Sequence, residues 1–241
     1  MRRRAMYSFE NFITFEENMI AYNAAKNVAF MTRNAYNPLF IYGGPGTGKT
    51  HLLKAIENTL TINEPTLNVL YTTAEEFASD VIAALRSSDY YNMSMIREIY
   101  RSPDVILVDD FQFLIGNKEV LDEITHTIDI LIKEGKQIVF SADKPPKKLK
   151  MDKEISYKLG QGLIVELQEP DIFMKRTLIQ MKAKEHEVLL NDEVVEYISA
   201  NIDSNVGEIE GAVISIAVYV EMYRPVISLA TAKTILKDVV G

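Results

Sequence analysis

Eight residues, Gly43-Gly-Pro-Gly-Thr-Gly-Lys-Thr50, constrain this chain more than any others. They match G-x-x-x-x-G-K-[ST], a loop that needs a buried strand before it and a helix after it. Both can be read here: Pro38-Leu-Phe-Ile-Tyr42 is an apolar run, and His51-Leu-Leu-Lys-Ala-Ile56 has helical character. In that frame Gly43, Gly46 and Gly48 let the backbone curl so that its N–H groups face a phosphate at a helix N-terminus. Gly44, Pro45 and Thr47 complete the loop, and His51 is counted with it. Lys49 is expected to reach the β- and γ-phosphates, and Thr50 to offer its hydroxyl to Mg²⁺. Further along, Val105-Ile-Leu-Val-Asp-Asp-Phe-Gln-Phe-Leu114 is an apolar strand ending in two carboxylates. Asp109 would hold the metal, partly through water, and Asp110 would polarise an attacking water.

The rest of the chain has to accommodate that loop. At 241 residues it suits one α/β domain with a small appendage, and 47% hydrophobic content can build a real core. No cysteine is present, so neither a disulfide nor a thiolate metal site is available, and a cytoplasmic location is expected. The start, MRRRAMYSFENF, carries basic residues without an apolar stretch behind them, and no run approaches a membrane span. The net charge of −8 argues against a broad electrostatic grip on DNA. His51, His126 and His186 are scattered and form no metal constellation.

Strands and helices alternate. A helix is expected over 18–30, strands at 39–42, 68–72, 105–108, 137–141 and 163–167, and helices to about 60, over 74–86 and over 121–133. Residues 87–91 read as a polar break, and Gly135 as a helix stop. Helices between strands imply right-handed crossovers and a parallel sheet. After Pro170 the strands cease. Asp171, Asn191 and Ser228 each stand where a helix N-cap is wanted, and Ser204-Asn205 precedes a further helix to about Tyr223. The expected fold is therefore a P-loop five-stranded parallel sheet sandwiched by helices over 1–168, followed by a small all-α domain over 169–241; this layout resembles that of AAA+ ATPases, in which the helical part is a lid.

Several motifs together resemble one family, the ATP-binding domain of the bacterial replication initiator DnaA. Tyr36 to Gly44, Gly48-Lys-Thr-His-Leu-Leu53, Asp109-Asp-Phe-Gln-Phe-Leu114 and Gly135-Lys-Gln-Ile-Val139 carry the resemblance. So does Tyr197 to Ala212, which looks like that family's lid helix. Tyr7-Ser-Phe-Glu-Asn-Phe12, with Ile13, Asn18, Ala21 and Tyr22, is similar to the segment that walls the adenine. The resemblance implies ATP or ADP with Mg²⁺ as cofactors, and a polar sensor role for Asp143 at the end of the fourth strand.

Departures from the family pattern shape the functional expectation. Lys158 stands at the arginine-finger position, where a point charge replaces a planar fork. Gly207 stands where the family's lid has an arginine, so hydrolysis is expected to be slow in isolation. Glu119 and Val120 occupy family single-stranded-DNA positions, and Ile82 keeps only an apolar contact. The family's helix-turn-helix domain has no counterpart up to Gly241, so DNA binding is expected to be weak or non-specific at most. The expected function is an ATP/ADP-dependent switch in replication initiation or its regulation. It would act through DnaA or another AAA+ subunit, with nucleotide-dependent self-assembly as one form of that contact and no membrane partner. Hda-type regulators are the nearest pattern, though they keep the finger. The alternative is a DnaA-type initiator or helicase loader contacting origin DNA. A metabolic P-loop kinase is disfavoured by the helical C-terminal bundle. The segment 144–153 holds five lysines in ten residues and reads as a solvated loop or a docking surface.

Overall fold

A computed structural model describes residues 7–30, 36–87, 90–202, 206–223 and 226–239. The expected helix opening at Ser204-Asn205 and part of the expected break at 87–91 lie outside the described residues. The five strands are β1 (Leu39–Tyr42), β2 (Val69–Thr73), β3 (Val105–Asp109), β4 (Gln137–Ala142) and β5 (Leu163–Glu166). They pair in the order β2-β3-β4-β1-β5, and every pair is parallel. Parallel strands need helical crossovers, which cover both faces of such a sheet. The fully buried β3 and β4 are the consequence.

Strand periodicity sorts the side chains onto two cores. Phe40, Ile106, Val108, Ile138 and Phe140 face one way. They pack on α3 (Ala74–Arg86), α4 (Tyr90–Arg101), α5 (Lys118–Lys133) and α6 (Lys153–Leu159). Leu39, Ile41, Val105, Leu107, Val139 and Val165 face the other way. These meet α1 (Met19–Phe30) and α2 (Lys49–Asn63), where Ala21, Ala24 and Ala25 let α1 lie close. Each fully buried Leu, Ile or Phe in these layers contributes about 1.5–3 kcal/mol of transfer free energy, so the cores dominate over the surface ion pairs.

The topology creates one crevice. From β1 the chain crosses through α2 to the far edge strand β2, on the second face. From β4, beside β1, it crosses through α6 to the opposite edge strand β5, on the first face. Adjacent strands whose connections leave in opposite directions open a cleft at their carboxyl ends, where open α/β sheets bind ligands.

Two helices go beyond the sequence expectation. Helix α4 begins at Tyr90, inside the expected break at 87–91, and of its described side chains Ile96 and Tyr100 feed the core. Its polar contacts hold the rest: Arg97 and Arg101 both donate to the buried Glu123 of α5, and Tyr100 donates to Asp80 of α3 at 2.7 Å. Helix α6 is seven residues long with two buried positions, Ile155 and Leu159, too few for a visible stripe.

The chain divides into two compact units, with the second comprising 168–241 together with residues 45–47 of the loop. Beyond Gln168 it is helical: α7 (Ile172–Glu185), α8 (Asp192–Asn201), α9 (Val206–Tyr223) and α10 (Leu229–Ile235). Asp171, Asn191 and Ser228 cap α7, α8 and α10 by accepting from Met174, Val194 and Thr231 N–H groups. Lys182 ties α7 to α9 through Glu210 at 3.0 Å. The last helix stops at Ile235 and gives way to a turn at Leu236.

Two glycines make opposite predictions. A methyl group at Gly162 would stand 1.9 Å from the Pro38 carbonyl oxygen, whereas at Gly211, exposed on α9, it meets nothing within 4 Å. Gly162→Ala is expected to cost about 2–4 kcal/mol in chemical denaturation, and Gly211→Ala to stabilise by about 0.5–1 kcal/mol.

Candidate functional site

The loop after β1 delivers a cation to the crevice. Gly46 and Gly48 adopt left-handed backbone at φ 68° and 102°, a conformation that L side chains resist. Gly48 then starts α2, and its carbonyl accepts from Leu52 N–H at 3.0 Å. The next residue, Lys49, is only 8% exposed. Its ammonium donates to the Gly43 and Gly44 carbonyls at 2.9 and 2.8 Å. Burial lowers its pKa, and the charges of Asp110, Asp109 and Asp143 oppose that shift. Three carboxylates from the ends of β3 and β4 thus converge on the lysine from the end of β1. Thr50 is exposed on the first turn of α2.

The carboxylates are held in distinct ways. Asp109 is 2% exposed. It accepts from Ser141 Oγ on Oδ1 and from Tyr71 Oη at 2.9 Å on Oδ2. Burial, with Asp109 and Asp110 beside it, drives the Tyr71 phenol pKa far upward, so at neutral pH Tyr71 is the donor. Asp110 turns the chain sharply at φ 59° and donates its N–H to Ser141 Oγ at 2.9 Å. Gln112 spans the site: Nε2 donates to Asp110 Oδ1 at 3.0 Å, and Oε1 accepts from the Asp143 N–H at 3.1 Å. One Asp143 oxygen, Oδ1, is buried with no hydrogen-bond partner among the described residues, while Oδ2 lies 3.5 Å from Lys144. A buried carboxylate oxygen without a donor is costly unless something else supplies one.

Beside the loop, the N-terminal segment forms an aromatic wall. Phe12 stacks on Tyr22 at 5.8 Å and meets the His51 ring edge-on at 5.4 Å. His51 Nε2 donates to the Ser8 carbonyl at 2.8 Å. Asn18 pins the connection by accepting from Phe15 N–H at 2.7 Å and donating to the Ile13 carbonyl at 3.0 Å. Phe12, Ile13, Asn18, Gly48 and His51, distant in sequence, are therefore brought together. A Cβ at Gly48 would lie 2.8 Å from the Phe12 ring.

Lys158 belongs to a different cluster. It pairs with Asp129 at 2.6 Å and Glu154 at 3.0 Å. Burial pulls its pKa down, and these two carboxylates outweigh that and raise it. Sequence reasoning missed Tyr71, Ser141 and Gln112. Ser141 and Gln112 left a faint signal, as polar residues inside the apolar runs Ile138–Ala142 and Phe111–Leu114. Tyr71 left none.

A glycine loop, a buried lysine, and acidic strand ends on a parallel sheet fit a nucleotide phosphate chain and its divalent cation. Fold and site define a P-loop ATPase core of the AAA+ layout. Comparison with known proteins narrows the class. The bacterial DnaA ATPase domain family matches residues 3–166. The chromosomal replication initiator protein DnaA of Chloroflexus aurantiacus is 39% identical over 236 residues, covering 98% of this chain and 49% of that protein. Domain III of the Thermotoga maritima replication initiation protein DnaA superposes with a TM-score of 0.87 at 38% identity, covering 97% of each chain. A replication initiator DnaA bound to AMPPCP and single-stranded DNA gives a TM-score of 0.80 at 34% identity, covering 90% of this chain and 68% of that one. The chain belongs to the bacterial DnaA ATPase domain family, and it spans about half the length of the curated relatives it matches.

The Gly48–Phe12 contact makes a prediction. Gly48→Ala is expected to cost about 1–3 kcal/mol, from left-handed backbone and ring clash together. Truncating Phe12 removes the clash only. A double-mutant cycle with Phe12→Ala should show a coupling of roughly 0.5–2 kcal/mol in thermal unfolding.

Proposed function

We propose that the chain binds ATP or ADP with Mg²⁺ at the crevice and serves as a nucleotide-dependent switch in chromosomal replication initiation or its control. The observation that carries this reading is Lys49, buried among Asp109, Asp110 and Asp143 at the switch point of the sheet. In this reading Gly44, Pro45, Gly46, Thr47 and Gly48 cradle the phosphates with their backbone N–H groups, and Lys49 exchanges its loop carbonyls for phosphate oxygens. Thr50 and Asp109 hold the metal, which neutralises phosphate charge. Asp110 orients water and Asp143 senses the nucleotide state. Phe12, Ile13, Asn18 and His51 wall the base. Residues 1–168 form the nucleotide-binding core and 169–241 a lid.

The partner in this proposal is DnaA or another AAA+ subunit, with nucleotide-dependent self-assembly as one form, in the cytoplasm. Among the described residues no helix is long and apolar enough to cross a membrane. A second reading, a DnaA-type initiator or helicase loader that contacts origin DNA, draws on the relative bound to single-stranded DNA. Against tight DNA contact in this chain, Val120 is fully buried and Glu119 is acidic, at positions where phosphate partners are wanted. Only weak, salt-sensitive single-strand binding is expected, in the micromolar-or-weaker range of non-specific contacts.

Nucleotide titration tests the core of this proposal. Lys49→Ala should weaken ATP and ADP binding by roughly ten- to a hundredfold, the scale of hydrogen bonds to a charged group. Equal affinity for wild type and variant would overturn it.

Turnover makes a separate prediction. Lys158 is held by two carboxylates of its own chain, and Gly207 brings no charge. An arginine supplied to a phosphoryl-transfer site is worth roughly 10³–10⁵ in kcat. Phosphate release from the chain alone should therefore stay below about 1 s⁻¹, and Asp110→Asn should abolish it. Faster turnover would show a site already complete.

A further inference from the structure

We infer that Tyr71 is a positioning residue for the metal-binding carboxylate: its hydroxyl, braced by Lys54, orients Asp109 and sets how tightly the chain holds a divalent cation beside its nucleotide. The inference rests on the proposed role of Asp109 as a metal ligand.

The geometry starts from Asp109. Its carboxylate is almost wholly buried, and each oxygen accepts one side-chain donor, Ser141 Oγ on Oδ1 and Tyr71 Oη on Oδ2. An ionised carboxylate offers about four lone-pair sites, two on each oxygen. One on each is therefore taken, which fixes the plane of the group and leaves the others for a cation or its water. Partners of this kind orient a ligand and tune its affinity for metal.

Tyr71 is itself held. It sits on β2, opposite Leu107 in the ladder, with its ring against the second core. Lys54 Nζ lies 3.2 Å from the ring centroid, and Glu57 pairs with that ammonium at 2.9 Å. A cation over the face of an aromatic ring is attractive. The chain of contacts is thus Glu57 to Lys54 to Tyr71 to Asp109. Helix α2 carries both Lys49, the phosphate lysine, and Lys54, the brace, five residues apart. The helix that receives the nucleotide also supports the residue that aims the metal ligand.

A purely structural tyrosine would fill the same core volume and merely satisfy its own hydroxyl. The two roles separate under Tyr71→Phe, which keeps the ring and removes the donor. The experiment is titration of Mn²⁺, read by electron paramagnetic resonance, into the whole chain with saturating ADP, alongside ADP affinity measured in EDTA. For Tyr71→Phe the Mn²⁺ dissociation constant should rise about tenfold, at the low end for residues that support a metal ligand, while ADP affinity in EDTA moves less than twofold. Lys54→Met leaves the hydroxyl in place and should raise the Mn²⁺ constant by about two- to threefold, less than the direct partner. That variant also serves if Tyr71→Phe fails to fold. An unchanged Mn²⁺ constant in a folded Tyr71→Phe, or in Lys54→Met should that be the folded one, would overturn the inference. Asp109→Asn separates the underlying reading: if Mn²⁺ binding survives that change, Asp109 is not the ligand and both ideas fall. Survival of ADP affinity in EDTA with loss of Mn²⁺ binding upholds the reading and leaves Tyr71 to be judged by its own variant.

Discussion

The buried ammonium of Lys49 is the interaction on which the site depends. A lysine 8% exposed keeps its charge only if its surroundings replace water. Here the Gly43 and Gly44 carbonyls and the fields of three carboxylates do so. The carbonyls belong to the lysine's own loop, and the carboxylates come from other strands. The carbonyls face it because Gly46 and Gly48 take left-handed backbone. Asp109, Asp110 and Asp143 face it because β3 and β4 run parallel to β1 and end on the same edge of the sheet. The site therefore needs the whole three-layer core, and the cores of Phe40, Phe140, Ile106 and Leu107 are part of its chemistry.

Much of this could be read from the amino acids alone, and the reason is local. A phosphate loop forces strand, turn and helix into a fixed spacing, so 39–63 followed from eight residues. An apolar run ending in two aspartates identified β3 and its acidic end. The caps at Asp171, Asn191 and Ser228 were readable because a capping side chain bonds its own neighbours.

What was not legible depends on contacts distant in sequence. Tyr71 gains its meaning only when β2 and β3 pair, which sets Thr73 beside Asp109 and brings the phenol to the carboxylate. Helix α4 places Met93, Ile96 and Tyr100 at helical spacing, but its start at Tyr90 lies inside a stretch that reads as a polar break. Its arginines are held because Glu123 lies twenty-two and twenty-six residues away on α5. The Lys158 contacts are of the same kind: position gave the residue a family role, and only the fold brought Asp129 to it.

Lys49 is the group that answers to nucleotide, and its side-chain ¹⁵Nζ resonance reads that most directly. Lysine-labelled chain would be titrated with ADP or ATP in the presence of Mg²⁺. The Lys49 signal should show a saturable shift as its ammonium leaves the Gly43 and Gly44 carbonyls for phosphate oxygens. A Lys49 signal that stays in place at nucleotide concentrations up to about 1 mM, the upper end of ordinary KM values, would show that nucleotide does not engage this lysine.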